Sequence, residues 1–203
     1  MTVATCDFGP LTVAYDERVL TPRPWTLLQS RWAAELSPEL PDGPILELCA
    51  GAGHIGLAAA VLTGRPLVQV ECDPTAAAFA TRNARAAGVR NHEMRVTTID
   101  AATFVGETFP LILADPPYLP TADVERFPDD PRRAIDGGRD GLTYVRTCIA
   151  IAALHLAAPG ALLLQLRGPA QANSVGARTI RAHDDERAVA LLTRNEIERC
   201  AIG

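Results

Sequence analysis

Residues 44–56 read Pro-Ile-Leu-Glu-Leu-Cys-Ala-Gly-Ala-Gly-His-Ile-Gly, which is the order of a strand, a glycine-rich turn and a helix. Gly51 and Gly53 permit tight backbone geometry and the close approach of a ligand. A second apolar segment, residues 67–70, ends at Glu71, twenty residues after Gly51. An acid at this distance can accept hydrogen bonds from ribose hydroxyls, so the pattern predicts a nucleotide-binding crossover.

Apolar segments and helix-compatible segments alternate along the rest of the chain. Further strands are predicted over residues 67–70, 94–99, 111–114, 161–166 and 188–193. Helices are predicted over residues 25–36, 55–62, 74–87 and 142–157. This alternation predicts an α/β protein with a mainly parallel sheet, whose ligands bind at the carboxyl ends of the strands. We expect a single domain over residues 1–203, with a lead-in and helix over 1–40 and the core over 41–203.

The acids around the glycine-rich turn indicate which nucleotide would bind there. Glu47 lies inside the first predicted strand, four residues before Gly51, and its charge would repel a phosphate. Acid at both Glu47 and Glu71 instead suits a cationic ligand that has a ribose. S-adenosylmethionine carries a sulfonium, an ammonium and two free hydroxyls. We therefore predict S-adenosylmethionine rather than NAD, with Gly51, Gly53, Glu47 and Glu71 among its binding residues.

Asp100 follows the strand predicted over residues 94–99. From there its carboxylate could accept a hydrogen bond from the adenine amine, which makes it a further candidate cofactor residue. The alternative is a helix cap before Ala101 and Ala102. The sequence leaves both roles open.

Residues 111–118 read Leu-Ile-Leu-Ala-Asp-Pro-Pro-Tyr, a buried-strand signal followed by a rigid loop. At the end of that strand, the Asp115 carboxylate and the Pro116 carbonyl could accept the hydrogens of an NH2 group. The Tyr118 ring could pack against the plane that carries the group. These three residues are the catalytic candidates, and Asp115 is also a candidate cofactor contact. Such a loop suits methylation of a planar nitrogen.

Three ordered motifs make residues 19–166 resemble class I S-adenosylmethionine-dependent methyltransferases of the HemK (PrmC) type, which methylate glutamine in release factors. They are Val-Leu-Thr-Pro-Arg-Pro at 19–24, the glycine-rich stretch at 48–57 and Asp-Gly-Gly-Arg-Asp-Gly-Leu at 136–142. The resemblance implies a Rossmann-like fold with a mainly parallel seven-stranded sheet and helices on both faces. It also implies a protein glutamine as the substrate. Arg23, within the first motif, joins the candidate cofactor residues.

Three departures from the HemK pattern leave the substrate open. HemK-type enzymes have Asn before Pro-Pro-Tyr, and an ionised Asp115 only accepts hydrogen bonds, whereas Asn also donates. Trp25 stands where the family commonly has Glu, and we expect no separate amino-terminal helical domain. The alternatives are methylation of an exocyclic base amine in RNA or DNA, or a non-catalytic module that binds S-adenosylmethionine.

Composition favours a compact enzyme without identifying its substrate. Hydrophobic residues make up 48% of the 203 residues, enough for a core, and the net charge of −5 argues mildly against a large nucleic-acid footprint. The five cysteines are widely spaced and are predicted to be mostly buried thiols, and the histidines lack metal-ligand spacing. We expect a cytoplasmic protein without a membrane span or signal peptide, and no oligomeric state is predicted. Arg132 and Arg133 could border a substrate groove beside Tyr118.

Overall fold

The computed structural model describes residues 2–202, and the side chains at 101 and 199–202 lie outside that description. The strands are β1 Ala4–Phe8, β2 Leu11–Tyr15, β3 Ile45–Leu48, β4 Leu67–Glu71, β5 His92–Val96, β6 Phe109–Ala114, β7 Leu156–Leu166, β8 Thr179–Asp184 and β9 Arg187–Thr193. The helices are α1 Leu27–Leu36, α2 His54–Thr63, α3 Pro74–Ala86, α4 Arg132–Ile135, α5 Thr143–His155, α6 Gly168–Ser174 and α7 Arg194–Ile202. Short 3-10 helices lie at Pro24–Thr26, Ser37–Glu39, Ala101–Phe104 and Thr121–Arg126.

Seven strands form one sheet in the order β5-β4-β3-β6-β7-β9-β8, and β1 and β2 form a separate antiparallel hairpin. The strands from β5 to β7 in this order run parallel, whereas β9 is antiparallel to both of its neighbours. The prediction of a mainly parallel, seven-stranded, Rossmann-like sheet is confirmed.

Helices cover both faces of the sheet because its central strands are apolar on both sides. Ile45 of β3 packs in the core that includes the buried sides of α1, α2 and α3. Its neighbours Leu46 and Leu48 point the other way, into the core that includes α5. In the part of the chain that the structure describes, no helix has both the length and the apolarity to cross a membrane.

The sequence placed some strands wrongly and missed others. β5 spans His92–Val96, so the strand predicted over residues 94–99 begins and ends earlier than expected. The sequence reasoning missed β8, whose exposed side chains give it the polar pattern of an edge strand. It also missed the hairpin of β1 and β2, which precedes the first recognisable motif.

The cysteines for which the structure describes side chains are free thiols. Cys148 is buried and Cys6 and Cys49 are partly buried, but Cys72 is exposed, so the prediction of mostly buried thiols holds only in part. Cys200 lies outside the described side chains.

Candidate active site

A cavity of about 350 Å³ opens at the carboxyl ends of β3, β4 and β6. Gly51 after β3, Glu71 at the end of β4 and Asp115 after β6 all line it. Parallel strands bring these three residues together because their carboxyl ends share one edge of the sheet. We refer to this space as the cofactor cavity.

The glycine-rich turn leaves β3 with an unusual backbone. Cys49, Gly51 and Gly53 have φ values of 58°, 54° and 83°, in the left-handed region that side chains disfavour. A Cβ atom at Gly51 would have no neighbour within 4 Å, so that glycine leaves open space beside the cavity. At Gly53, which precedes α2, a Cβ atom would lie 2.8 Å from that of Ala80. Gly51 therefore keeps the cavity open, and Gly53 permits close packing of α2 on α3.

The Glu71 carboxylate, at the end of the adjacent strand β4, binds the backbone of the glycine-rich turn. Its Oε2 accepts a hydrogen bond from the Gly51 backbone N–H at 2.8 Å, and its Oε1 accepts one from the Asp73 N–H at 2.8 Å. Each carboxylate oxygen can accept more than one hydrogen bond, so capacity remains for ligand hydroxyls. The geometry holds this acid at the cavity wall, where the sequence predicts ribose recognition.

The expected position of Glu47 is corrected by the structure. Its side chain is only 2% exposed and is absent from the described lining of the cofactor cavity. Alternation along β3 turns it toward α2, where Oε1 accepts from the Gly56 N–H at 2.9 Å and Oε2 accepts from Gln69 Nε2. Burial raises the pKa of the carboxyl to about 8, against the lowering effect of these hydrogen bonds. Glu47 anchors the helix behind the turn instead of facing the ligand.

Asp100 also lies away from its expected place. Its Oδ1 accepts a hydrogen bond from the Ala102 backbone N–H at 2.8 Å and so caps the 3-10 helix Ala101–Phe104. In the described residues the cavity wall is instead formed by the preceding Thr98 and Ile99. The cap is the alternative that the sequence left open, and an adenine contact from Asp100 stays a prediction. Sequence reasoning missed Ile99, although its place after a strand and before an acid was a usable signal.

A second cavity, of about 280 Å³, adjoins the first and is lined by residues 115, 116 and 118 of the loop that follows β6, which we call the acceptor loop. Asp115 lines both cavities, and Pro116 and Tyr118 line the second. Desolvation raises the pKa of the Asp115 carboxyl to about 7, and burial followed by the charge of Asp115 raises that of the Tyr118 hydroxyl. Trp25 and Phe127 add aromatic walls to this acceptor cavity.

Two glutamine side chains donate hydrogen bonds to backbone carbonyls and hold the acceptor loop in place. Gln29 of α1, which is fully buried, donates from Nε2 to the Ala114 carbonyl at 3.1 Å and to the Leu163 carbonyl at 2.8 Å. Gln171 of α6 donates to the Tyr118 carbonyl at 3.0 Å. Neither glutamine was identified from the sequence, because both act through contacts with residues far away in the chain.

The motif at residues 136–142 packs against the same loop. Asp136 Oδ1 accepts from the Gly138 N–H at 3.1 Å and from Thr121 Oγ1 at 2.6 Å. A Cβ atom at Gly137 would lie 2.6 Å from the Pro117 carbonyl oxygen, so only glycine fits there. The motif therefore acts on the acceptor loop through packing.

Arg23 was predicted as a cofactor residue, but it lines the acceptor cavity. Its Nη2 contacts the two carboxylate oxygens of Asp130 at 2.5 and 2.6 Å. Its guanidinium also lies 5.7 Å from the centroid of a Trp25 ring, and that of Arg187 lies 3.9 Å from it. In the described part of the chain Arg23 does not line the cofactor cavity, so its expected position is corrected.

The two arginines of α4 differ in what they contact. Arg133 lines the cofactor cavity and pairs with Asp73, the residue that caps α3. Arg132 pairs with Asp136 at 3.0 Å. The pair of Arg133 and Asp73 links the segment after the acceptor loop to the start of α3, and both residues line the cofactor cavity.

The cofactor cavity fits the ligand that the sequence predicts. Its lining is mainly apolar, with Val70 and Ile99 beside the glycine turn, which suits a purine ring. Glu71 supplies acceptors for ribose hydroxyls, and Asp115 stands where the cavity meets the acceptor cavity. These residues would hold S-adenosylmethionine, which would supply an activated methyl group there.

Comparisons with known proteins find relatives that are named methyltransferases. The release factor glutamine methyltransferase of Mycolicibacterium smegmatis is 34% identical over 184 residues, covering 87% of this chain and 64% of that protein. The corresponding protein of Geobacter sulfurreducens is 34% identical over 182 residues, covering 85% of this chain and 61% of that protein. A family model described as conserved hypothetical protein 95 matches residues 31–127.

Solved structures share the fold at low sequence identity. The hMettl16 catalytic domain in complex with MAT2A 3'UTR hairpin 1 has a TM-score of 0.68 at 16% identity, covering 93% of this chain and 76% of that one. A ribosomal protein L11 methylase from Lactobacillus delbrueckii subsp. bulgaricus has a TM-score of 0.61 at 12% identity, covering 87% of this chain and 82% of that one.

The fold and the paired cavities define a class I methyltransferase fold whose cofactor cavity suits S-adenosylmethionine. The chain's sequence is similar to release factor glutamine methyltransferases, the HemK/PrmC type that the motifs resemble. It spans less than two thirds of the length of these curated relatives, 64% and 61%.

Proposed function

We propose that this protein is an S-adenosylmethionine-dependent N-methyltransferase that acts on the side-chain amide of a glutamine in a protein. The observation that carries the proposal is the position of Asp115, which lines both the cofactor cavity and the acceptor cavity. A methyl group can pass directly between two ligands only where their sites meet, and the acceptor loop stands at that point.

The proposed mechanism is an in-line transfer to a nitrogen held by the acceptor loop. When bound, S-adenosylmethionine supplies an electrophilic methyl group on a sulfonium. Asp115 and the Pro116 carbonyl accept the two hydrogens of the amide NH2 group and orient its nitrogen. Tyr118 packs against the amide plane. The amide lone pair is delocalised, so acceptors for both hydrogens favour the positive charge that grows on the nitrogen. No strong general base is needed, because the proton can leave after the transfer.

The relatives indicate which protein substrates to test. The names of two relatives refer to glutamine methylation of release factors and of ribosomal protein uL3. A release factor is therefore the substrate that we propose first. A cytoplasmic location and a single domain over residues 1–203 belong to the same proposal.

The test is methyl transfer from labelled S-adenosylmethionine to purified release factor, with total RNA as the competing substrate. We expect label in the protein and none in RNA. Asp115→Ala should abolish turnover yet bind the cofactor with nearly unchanged affinity, measured by calorimetry. Glu93→Ala, which changes an exposed acid on β5, is the matched control and should retain full turnover. A parallel loss of cofactor binding in Asp115→Ala would contradict the assigned role.

The second candidate is methylation of an exocyclic base amine in a nucleic acid. An ionised Asp115 that only accepts hydrogen bonds is the feature that favours it, and Trp25 and Phe127 provide surfaces on which a base could stack. Label that appeared in RNA but not in release factor would replace the first proposal with this one.

A further inference from the structure

Residues 119–136, which connect the acceptor loop to the motif before α5, form part of the wall of both cavities. Pro131, Arg133 and Ala134 of this segment line the cofactor cavity. Ala134 also lines the acceptor cavity, as does Phe127. We propose that residues 119–136 form a cap that opens to admit and release the cofactor, and that ion pairs along its rim act as latches that keep it closed. This inference goes beyond the proposed function, and its test needs no methyl acceptor.

The two ends of the cap are fastened to each other. The Leu119 N–H donates to the Ile135 carbonyl at 3.0 Å, and the Gly137 N–H donates to the Leu119 carbonyl at 2.8 Å. Thr121 Oγ1 donates to Asp136 Oδ1 at 2.6 Å. The segment therefore leaves and rejoins the fold at one closed neck, as compact surface loops do. Such a segment can move as a unit about its neck without disturbing the sheet.

The cap has a small apolar cluster of its own. Leu119, Val124 and Ile135 are buried in it. In the part of the chain that the structure describes, none of these three residues belongs to the two larger cores on the faces of the sheet. Leu20 and Tyr118 pack against the cluster from outside the cap. A segment that is packed internally and shares few buried apolar contacts with the rest of the fold opens at a low cost in free energy.

Ion pairs connect the rim of the cap to three separate parts of the fold. They join Asp123 to Arg167 before α6, Asp130 to Arg23 before α1, and Arg133 to Asp73 before α3. Among the described residues these are the ion pairs between the cap and the rest of the chain. Because Arg133 and Asp73 both line the cofactor cavity, their pair closes the wall between α4 and α3. Partly exposed ion pairs each contribute little, so the latches favour the closed cap and still leave opening accessible.

The latches have a specific consequence for the kinetics of cofactor binding. A latch that is formed both before and after the cofactor binds stabilises the closed cap in both states. Removing it raises the open fraction of the free chain and of the complex by the same factor. The association and dissociation rate constants should therefore rise together, while the dissociation constant stays unchanged. A residue that only contacts the bound cofactor would instead change the dissociation rate constant alone.

The test measures these rate constants by surface plasmon resonance on the immobilised chain. The probe is S-adenosylhomocysteine, the demethylated cofactor, whose ammonium and carboxylate charges balance. For Arg133→Gln we expect both rate constants to rise about two- to fivefold, the range for one partly exposed ion pair. Arg132→Gln is the matched control on the same short helix, because Arg132 pairs with Asp136 inside the cap and its side chain is also 60% exposed. The control should reproduce the wild-type rate constants.

Asp123→Asn tests the latch on the other side of the cap. Asp123 is not among the described lining residues of the cofactor cavity, yet we expect the same parallel rise in both rate constants. This change removes a negative charge, whereas Arg133→Gln removes a positive one, so attraction of the ligand by charge cannot raise both association rate constants. Asp129→Asn is its control, since Asp129 is an exposed acid of the cap without an ion pair in the described residues, and it should leave both rate constants unchanged.

Three outcomes would overturn the cap. Wild-type association rate constants in both latch variants would show that the ion pairs hold nothing closed. A rise confined to the dissociation rate constant of Arg133→Gln would make Arg133 a direct cofactor contact. A parallel rise in Arg133→Gln that is absent from Asp123→Asn would show that the segment does not move as one unit. A wild-type chain that bound no probe would overturn this inference together with the cofactor assignment, whereas a failure to methylate release factor would refute the proposed function alone.

Discussion

Removing the Glu71 carboxylate should weaken cofactor binding without unfolding the protein. In Glu71→Ala the Gly51 and Asp73 N–H groups lose an acceptor held at 2.8 Å from each, and the predicted ribose contacts are lost as well. A hydrogen bond to a charged group contributes about 1.5–3 kcal/mol. Two ribose hydroxyls at the lower end of that range amount to about 3 kcal/mol, which is roughly a hundredfold in the dissociation constant.

The stability cost should be smaller, because both N–H groups border a cavity that water can enter. We expect a loss of about 1–2 kcal/mol in the free energy of unfolding, measured in urea. Calorimetry with S-adenosylmethionine measures the affinity, and Glu93→Ala is the control, since that exposed acid on β5 contacts Arg95 at 2.7 Å outside the cavity. A well-folded Glu71→Ala chain that bound the cofactor as tightly as the wild type would refute the reasoning.

Three further predictions follow from corrected or buried positions. Asp100→Ala should lower the free energy of unfolding by about 1 kcal/mol, because the cap of the 3-10 helix is lost. Its cofactor affinity, measured by calorimetry, should stay within a few-fold of the wild-type value. A much weaker complex would instead favour the adenine contact. Gly56→Ala should lower the free energy of unfolding by about 1–2 kcal/mol, because its Cβ atom would lie 2.8 Å from Glu47 Cδ and 3.1 Å from a Leu67 methyl, whereas stabilisation would show that the helix has room. The folded chain keeps the Glu47 proton up to about pH 8, whereas the unfolded chain releases it near pH 4.5. Protonated Glu47 therefore contributes to the free energy of unfolding. That contribution is complete below pH 4.5 and is lost as the pH rises to 8. Glu47→Gln should remove this contribution to the pH dependence of the free energy of unfolding, which urea titrations at several pH values measure. An unchanged pH dependence would show that the carboxyl is already ionised in the folded chain.

The sequence predicted the parts of the site that depend on local order along a strand. Gly51, Glu71 and Asp115 each directly follow or end an apolar segment, and parallel strands necessarily bring such positions to one edge. Glu47 was misplaced because strand alternation says that neighbours face opposite sides but does not say which side carries the ligand. Asp100 was ambiguous because a residue after a strand and a residue before a helix can be the same residue.

The sequence by itself therefore determined the class of fold, the glycine turn and the acceptor loop, since these depend on hydrophobic periodicity and on the backbone preferences of glycine and proline. Only the tertiary structure decided that Arg23 contacts Asp130, 107 positions away, and that Gln29 holds the carbonyl before Asp115. It also decided that two cavities meet at Asp115. Such contacts join residues that are distant in the chain, and their side chains carry no local pattern that would pair them.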